Sequence, residues 1–335
     1  MPAEAARARR RESLARLAWP VAALVLLLAF NALFTERFFH VEWREGHLYG
    51  TPIDILNHGS KVMLLSLGMA LVIATGGVDL SVGAVMAIAG AVAAVAINRP
   101  DASFVVVLAL ALGVSVLAGA WNGALVAYGR VQPIVATLVL MVAGRGVAQL
   151  ITDGQIVTFT DERLVFLGNG HLLGLPFPVT LVLAMLLVTA LLTRRTALGL
   201  FIETVGDNET AARLSGIDAR GVKLATYVFA GLCAGLAGLV AASNIKCADS
   251  NNAGLFLELD AILAVVIGGT LLGAGGRFSL LGSVIGAIVI QATMTSMYHV
   301  GVPASAITVV KAIVVIVVIV LYSEQAQVFI RRVFL

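Results

Sequence analysis

The segment "LVIATGGVDLSVGAVMAIAG", residues 71–90, contains one carboxylate, Asp79, inside what otherwise reads as a single long apolar run. A charged side chain is costly at the centre of a bilayer, so Asp79 is either a functional acid within the membrane or the sign of a turn. Two glycines, Gly76 and Gly77, precede it and favour a tight turn, because glycine adopts backbone angles that other residues avoid. The segment therefore predicts two apolar helices separated by a turn.

The composition of the whole chain is that of a membrane protein. Of its 335 residues, 60% are hydrophobic and 12% are charged, and the mean hydropathy is +1.00. An average soluble domain is roughly 45–50% apolar and about 25% charged. The apolar runs are continuous rather than alternating and approach the roughly 20 residues that a spanning helix needs. We therefore predict an all-α integral membrane protein with about ten transmembrane helices.

The predicted spans form a single transmembrane domain over residues 1–335. They lie at 17–34, 52–75, 80–97, 103–127, 133–151, 177–192, 223–243, 258–273, 278–299 and 305–322. A basic tail, residues 1–16, precedes the first span. The two longest loops are 152–176, whose Gly and Pro residues predict a hairpin or a short surface helix, and 193–222 on the other side of the membrane.

Basic residues divide unequally between the two sides of this predicted bundle. On the side of the two termini lie Arg7, Arg9, Arg10, Arg11, Arg16, Arg130, Arg194, Arg195, Arg213, Arg220, Lys223, Arg277, Arg331 and Arg332. The opposite side receives Arg37, Arg44, Arg99, Arg163 and Lys246, whereas Lys61, Arg145 and Lys311 fall within predicted spans. Because Lys and Arg concentrate in cytoplasmic loops, we expect both termini and the 193–222 loop in the cytoplasm. Topology also explains the pI of about 9.1, so we expect contact with membrane lipid and no nucleic-acid partner.

This orientation places Gly76, Gly77 and Asp79 at a cytoplasmic turn between the second and third spans. There the Asp79 carboxylate can accept hydrogen bonds from the amide groups that open the helix beginning near Leu80. We expect Asp79 to cap that helix where the chain leaves the membrane, and we expect the turn to line a cytoplasmic gate. An ion-binding acid within the membrane is the alternative interpretation.

Polar residues within or beside the spans are candidates for an aqueous path. Asn57, Asn122 and Gln149 carry uncharged hydrogen-bonding groups, which suit a neutral hydroxylated solute, and the latter two are predicted to lie deep. Glu258 and Asp260 are expected near the external mouth, where solvent would surround them. The first interpretation of each such residue is an interhelical hydrogen bond, a buried ion pair or an interfacial position, and a place on an aqueous path is the alternative.

Three pairs of glycines predict close packing between helices. These G-x-x-x-G pairs are Gly119 with Gly123, Gly231 with Gly235 and Gly282 with Gly286. Glycines spaced in this way let two helix backbones approach each other. We therefore expect a tightly packed bundle.

The sequence contains none of the motifs that would make this chain an enzyme. It lacks G-x-S-x-G and H-E-x-x-H, and it has no Gly-Lys pair from which a phosphate-binding P-loop could be built. Cys233 and Cys247 have no Cys or His neighbours of the kind that a metal site needs. We expect no catalytic residues, no metal and no cofactor in this chain, so ATP-driven transport would need ATP and Mg bound by another chain.

The internal loop contains "DNETAARLSG", residues 207–216, which has the pattern of a short capped helix. Asp207 or Asn208 would be the N-cap, Glu209 would lie in the first turn, and Gly216 would end the helix. Helices shorter than about 12 residues are marginal in water. This helix must therefore be held either by the bundle's own surface or by a groove on a partner protein.

Three segments, "IATGGVDLSVGAVMAIAGAVAA", "TALGLFIETVGDNETAARLSGI" and "LDAILAVVIGG", together resemble the permease family of bacterial ABC sugar importers that includes the ribose and arabinose permeases. The resemblance covers nearly the whole chain. Three further segments, "YGTPIDILN", "LMVAGRGVAQLITDGQIVTF" and "NNAGLFLELDAILAVVIGG", are most similar to the galactofuranose permeases of that family.

The resemblance implies an inner-membrane subunit of the ABC importer permease type that passes a monosaccharide, here galactofuranose, inward by alternating access. It also implies three partners: a cytoplasmic ATPase, a second permease subunit that is a related chain or another copy, and a periplasmic sugar-binding protein. The family's ATPase-contacting loop corresponds to Gly206, Asn208, Glu209, Ala211, Ala212 and Gly216. The alternative function is an ion-coupled secondary transporter with Asp79 or Lys61 at its coupling site, which would not need the capped loop.

The predicted orientation can be tested by thiol labelling of intact cells from outside, after Cys233 and Cys247 have been replaced by Ser. An Asp161→Cys variant should react and an Ala8→Cys variant should not, because the basic residues place residue 8 in the cytoplasm. The reverse pattern would show that the orientation is wrong.

Overall fold

The computed structural model describes residues 2–35, 38–44, 46–270, 275–303 and 305–313. The helices are α1 (Pro2–Phe34), α2 (Thr51–Ala74), α3 (Val82–Ile97), α4 (Phe104–Ala127), α5 (Pro133–Ile151), α6 (Glu162–Asn169), α7 (Phe177–Arg195), α8 (Leu198–Asp207), α9 (Glu209–Leu214), α10 (Ala219–Ile245), α11 (Leu257–Ile267) and α12 (Leu280–His299). The strands are β1 (Glu42–Arg44), β2 (His47–Tyr49), β3 (Val157–Thr158), β4 (His171–Leu172), β5 (Leu175–Pro176) and β6 (Cys247–Ala248). They pair antiparallel as β1–β2, β3–β6 and β4–β5.

The helical membrane class is confirmed, with fewer full-length spans than predicted. Within the described residues, seven helices are long and apolar enough to cross a membrane: α1, α2, α4, α5, α7, α10 and α12. The predicted spans 80–97 and 258–273 are shorter in the structure, since α3 has 16 residues and α11 has 11. The tenth predicted span begins as a helix over 305–313, and its remainder lies outside the described residues. Helix α1 begins at Pro2, ahead of the predicted start at residue 17.

Helices α2 and α10 form the centre of the bundle. In the most apolar 18-residue stretch of each helix, 78% of the residues of α2 and 61% of those of α10 are buried. The corresponding share is 22% for α5 and 28% for each of α4 and α7. The two central helices run antiparallel: Lys61 Nζ lies 3.5 Å from Asn244 Oδ1 near one end, and the Tyr227 hydroxyl donates to the Val78 carbonyl at 3.3 Å near the other. The outer helices therefore present apolar faces to lipid or to another protein.

The strand pairs lie at one end of the bundle, which we call the hairpin end. The Leu48 amide donates to the Gly174 carbonyl at 2.9 Å, and the His47 and His171 rings stack with centroids 4.0 Å apart, so the β1–β2 and β4–β5 hairpins contact each other. The hairpin and short helix predicted for the 152–176 loop are both present, as β4–β5 and α6. Asp161 caps α6, and its hydrogen bond with the Arg163 side chain lowers the pKa of the Asp161 carboxyl.

The glycine pairs do mark close helix contacts, as predicted. A Cβ added at Gly119 or Gly231 would overlap a backbone carbonyl across the α4–α10 contact, and one at Gly286 would overlap the Ala264 carbonyl of α11. These backbones approach because no side chain separates them. Close contacts of this kind set the distance between α4 and α10, against which the rest of the core packs.

Gly119→Ala should destabilise the protein by about 1–3 kcal/mol, because the new methyl group would overlap the Tyr227 carbonyl across the interface. Gly113→Ala on the same helix is the matched control, since no atom lies within 4 Å of its added Cβ. Ala is the better helix former by about 0.5–1 kcal/mol, so the control should be neutral or slightly stabilising. Thermal unfolding of the purified variants measures both, and equal melting temperatures would contradict the packing account.

Candidate functional site

The turn between α2 and α3 is closed inside the bundle by Asp79. Its Oδ1 accepts from the Ser81 amide at 2.9 Å and from the Ser81 hydroxyl at 2.6 Å, and the Asn122 Nδ2 lies 3.5 Å away. The neighbouring Val78 carbonyl accepts from the Tyr227 and Thr137 hydroxyls at 3.3 and 3.4 Å. The two bonds with Ser81 lie within the turn, and those from Asn122, Thr137 and Tyr227 fix it to α4, α5 and α10.

The predicted capping of a helix by Asp79 is not what the structure shows: α3 begins at Val82 after Ser81, no side chain caps its first turn, and Asp79 instead accepts from the amide and hydroxyl of Ser81 within the turn. Asp79 is only 1% exposed, so its carboxylate is surrounded by protein, and the expectation that the chain leaves the membrane at this residue stays a prediction. Gly76 is the part of the turn that is exposed, and its φ of +79° requires glycine, whereas Gly77 is buried against the Tyr227 hydroxyl. The turn is therefore recessed beneath the surface.

The three residues predicted to line a path do not form one site. Asn122 is fully buried near the C-terminal end of α4, away from the hairpin end, and its amide donates to the Ser81 hydroxyl at 2.8 Å. Asn57 lies in the first half of α2, near the hairpin end, and its Oδ1 is buried with no partner among the described residues. Gln149 was predicted to lie deep, but it is exposed near the end of α5 and donates to Asn251 at 2.8 Å.

The chain between α10 and α11, residues 246–256, turns back into the bundle from the hairpin end. It runs down α5: Gln149 bonds Asn251, and one helical turn deeper the Arg145 guanidinium donates to the Ala253 carbonyl. We call residues 249–256 the re-entrant segment. Non-helical backbone at membrane depth is tolerated where it is buried in protein or lines a water-filled cavity. The short α11 begins at the foot of this segment.

Helix α11, which follows the re-entrant segment, carries two acids in its first turn, Glu258 and Asp260. Both were predicted to lie at a solvated external mouth. That prediction is wrong, because Glu258 is 6% exposed and Asp260 is 2% exposed. Asp260 forms an ion pair with Lys311 at 2.7 Å. Glu258 and Arg145 attract each other electrostatically without forming a direct ion pair. In the sequence, Arg145 was visible only as one basic residue within an apolar span.

The short helix of the internal loop is present as α9, with the predicted cap. Asn208 Oδ1 accepts from the Ala211 amide at 2.9 Å, and Gly216, with φ +84°, follows the helix. Glu209 forms ion pairs with Arg213 and Lys223. Partial burial would raise the pKa of Glu209, but its hydrogen bonds and attraction to these two cations outweigh burial and lower it.

The packing of α9 shows whether the bundle's own surface or a partner protein holds this helix. Ala212 is fully buried within this chain, so its methyl group does not belong to an exposed docking face. The outward face consists of Thr210, Ala211, Leu214 and Ser215, and Leu214 is 86% exposed. The bundle's own surface therefore holds α9, and the helix still presents a small exposed face to a partner.

Helix α8 connects this face to the core. Gly206 packs directly against the Ala74 carbonyl at the end of α2, and the Gly276 amide donates to that same carbonyl at 2.7 Å. A side chain at position 206 would overlap both. The α8–α9 pair thus lies against the end of α2, immediately before the turn that Asp79 closes.

Comparison with known proteins gives the family. The model of the family described as "Branched-chain amino acid transport system / permease component" matches residues 51–321. The chain belongs to this permease family. It is 54% identical over 315 residues to the galactofuranose transporter permease protein YtfT of Escherichia coli strain K12, covering 92% of each chain.

Two other relatives carry sugar names. The fructose import permease protein FruF of Bifidobacterium longum strain NCC 2705 is 38% identical over 92% of this chain and 88% of its own length. The ribose import permease protein RbsC of Escherichia coli strain K12 is 38% identical over 90% of this chain and 92% of its own length. The predicted resemblance to sugar import permeases is confirmed. No solved structure matches the chain.

An Asp79→Asn variant should retain more transport and stability than Asp79→Leu. Asn keeps an oxygen that can accept from the Ser81 amide, whereas Leu leaves the buried amide and hydroxyl unpaired, at a cost of about 1–3 kcal/mol. Thermal unfolding and solute uptake measure the two effects. If Asn abolishes uptake in a normally assembled protein, the charge of Asp79 matters and its hydrogen bonds to Ser81 do not explain its role.

Proposed function

We propose that this chain is the permease subunit of an ATP-driven ABC importer that carries galactofuranose into the cytoplasm. The observation that carries the proposal is the 54% identity to a galactofuranose permease over 92% of both chains. The fructose and ribose permeases, each 38% identical, support the wider class of monosaccharides. The family description mentions branched-chain amino acids, but these full-length relatives are named for sugars.

The energy for transport comes from a separate ATPase chain that binds ATP and Mg. The absence of a Gly-Lys pair from the sequence supports this division, because a P-loop requires one. The exposed face of α9 is the proposed ATPase contact. A displacement of α9 by the ATPase would be transmitted to the end of α2 through Gly206, because the Gly206 backbone packs against the Ala74 carbonyl. The recessed turn at 75–81 would then act as the cytoplasmic gate.

The α8–α9 end faces the cytoplasm and the hairpin end faces the periplasm of a bacterial inner membrane. The distribution of Lys and Arg supports this orientation. A periplasmic binding protein delivers the sugar to the hairpin end, and a second permease chain, either related or identical, completes the importer. The outward apolar faces of α4, α5 and α7 provide surfaces for that chain and for lipid.

The structural setting of Asp79 favours this function over ion-coupled transport. Its Oδ1 accepts three protein hydrogen bonds that hold the turn together, which supports a structural role. Lys61, the other residue considered for ion coupling, lies beside Asn244 at the hairpin end. The family's description as a component of a transport system also supports a chain that works with partners.

Uptake of labelled galactofuranose tests the sugar assignment. Cells that lack other galactofuranose importers should accumulate the sugar when they produce this chain with its ATPase and binding protein. An excess of ribose or fructose should not compete. Uptake of ribose without galactofuranose would overturn the sugar assignment, and uptake of neither sugar nor any other monosaccharide would overturn the class.

A Leu214→Asp variant should lose coupling to the ATPase while remaining folded. Because Leu214 is 86% exposed, the substitution should change this chain's stability by no more than about 0.5 kcal/mol. It should place a charge in the ATPase contact, so that less ATPase co-purifies and sugar with its binding protein no longer stimulates ATP hydrolysis. Ala212→Trp is a poorer test, since it would disrupt the chain's own packing.

The matched control is Leu173→Asp, which changes the same residue type at a position that is 93% exposed on the hairpin end. This control should retain the ATPase subunit in full. If Leu214→Asp also co-purifies with a fully stimulated ATPase, the α9 face is not the coupling contact.

A further inference from the structure

We propose that Arg145 and Glu258 form a binding site for one hydroxyl group of the transported sugar, within the membrane part of the chain. The inference rests on the proposed function, because it names a contact of the same solute. It goes beyond the predicted path residues Asn57, Asn122 and Gln149, none of which is a charged group.

Glu258 has an acceptor oxygen that the protein leaves unused. The residue is 6% exposed, and its Oε2 is buried without a hydrogen-bond partner in the described part of the chain. Burying a carboxylate oxygen without a partner is expensive, so such an oxygen in a folded protein calls for a ligand or water. The carboxylate lies against Gly83 at the start of α3, where an added Cβ would be 2.5 Å from Oε2.

Arg145 supplies the complementary donors. It is half-buried on α5, and the Ala253 carbonyl takes one of the five N–H groups of its guanidinium. Its positive charge attracts Glu258, yet the two side chains form no direct ion pair. A hydroxyl group complements both members of such a pair, because its oxygen accepts from a guanidinium while its O–H donates to a carboxylate.

The other buried acids of the described residues differ from Glu258 in this respect. Asp260 is paired with Lys311 at 2.7 Å, and Asp79 accepts from Ser81 and Asn122. The carboxylates of these two residues therefore bond to donor groups of the protein itself. Glu258 is therefore the acid in this region that is arranged to receive a donor from outside the chain.

The Arg145 side of the pair can be reached from the hairpin end along α5. Gln149 is exposed one helical turn above Arg145, and a turn advances about 5.4 Å along the axis. Gly146, beside Arg145, has open space where a side chain would be. Polar groups on an otherwise apolar outer helix are costly against lipid, which supports a water-filled approach on this face.

The test measures uptake by the assembled importer in proteoliposomes, with galactofuranose and with a set of its analogues that each lack one hydroxyl. The same loaded binding protein is used throughout, so its own selectivity is common to every permease variant. The wild type should carry one particular analogue about tenfold or more slowly than the parent sugar, as expected when a charged hydrogen bond is lost. Glu258→Ala and Arg145→Ala should remove that preference for the same analogue.

Two further variants, Asp260→Asn and Glu258→Gln, separate recognition from structure. Asp260→Asn, which weakens the ion pair with Lys311, should slow uptake of all sugars by one common factor and leave the preference intact. Glu258→Gln keeps the side-chain shape and one acceptor oxygen, so it should fold normally and retain part of the preference. It also provides the measurement if Glu258→Ala fails to assemble, as judged by size-exclusion chromatography.

The proposal is overturned if the Glu258 and Arg145 variants slow the parent sugar and every analogue equally, since a purely structural pair would do so. Failure of the proposed function gives a different result. If the wild type carries another monosaccharide, the galactofuranose assignment fails, and the same ratios taken with deoxy analogues of that sugar decide on this site. If the wild type carries no sugar, both proposals fall.

Discussion

Two stretches of non-helical backbone meet inside the bundle, and the need to satisfy their polar groups governs the architecture around them. One is the turn at 75–81, and the other is the re-entrant segment. Their junction is the start of α3, which directly follows the turn and whose Gly83 packs on Gly254 of the re-entrant segment. Backbone amide and carbonyl groups cannot be left unpaired at membrane depth. The surrounding helices therefore carry side chains whose chief role is to bond this irregular backbone.

The two stretches are stabilised by different means. The turn is bonded by small neutral groups, including the Tyr227 and Thr137 hydroxyls on the Val78 carbonyl. The re-entrant segment is held by Arg145, which bonds the Ala253 carbonyl with a charged group. A long cation can hold backbone and still offer further donors, which a hydroxyl cannot do to the same extent. That difference is why a ligand site is inferred beside the re-entrant segment and not beside the turn.

The irregular core also joins the two ends of the molecule. The turn follows directly from the end of α2, against which Gly206 of α8 packs, while the re-entrant segment begins at the hairpin end. A displacement of α8 would thus move the turn. Through the Gly83–Gly254 contact, it would also move the inner end of the re-entrant segment. The proposed energy input and the proposed solute contact share one packed backbone junction.

The sequence by itself determined the features that depend on local chemistry and on composition. Continuous apolar runs placed the long helices, glycine pairs predicted close helix packing, and a cap at Asp207 or Asn208 was predicted from the residues that follow it. Each of these follows from neighbouring residues, so no knowledge of the fold was needed. The family resemblance likewise required only the order of residues.

Only the tertiary structure decided which polar residues are buried and what they face. Gln149 was expected to lie deep and is exposed, whereas Glu258 and Asp260 were expected at a mouth and are buried. The cause of these differences in burial is that residues 246–256 turn back into the bundle, and no local sequence pattern predicts this turn. Ala212 is buried within its own chain, where α9 packs against the flanking helices α8 and α10. Burial depends on contacts between residues far apart in sequence, and a hydropathy pattern contains no information about which partners those will be.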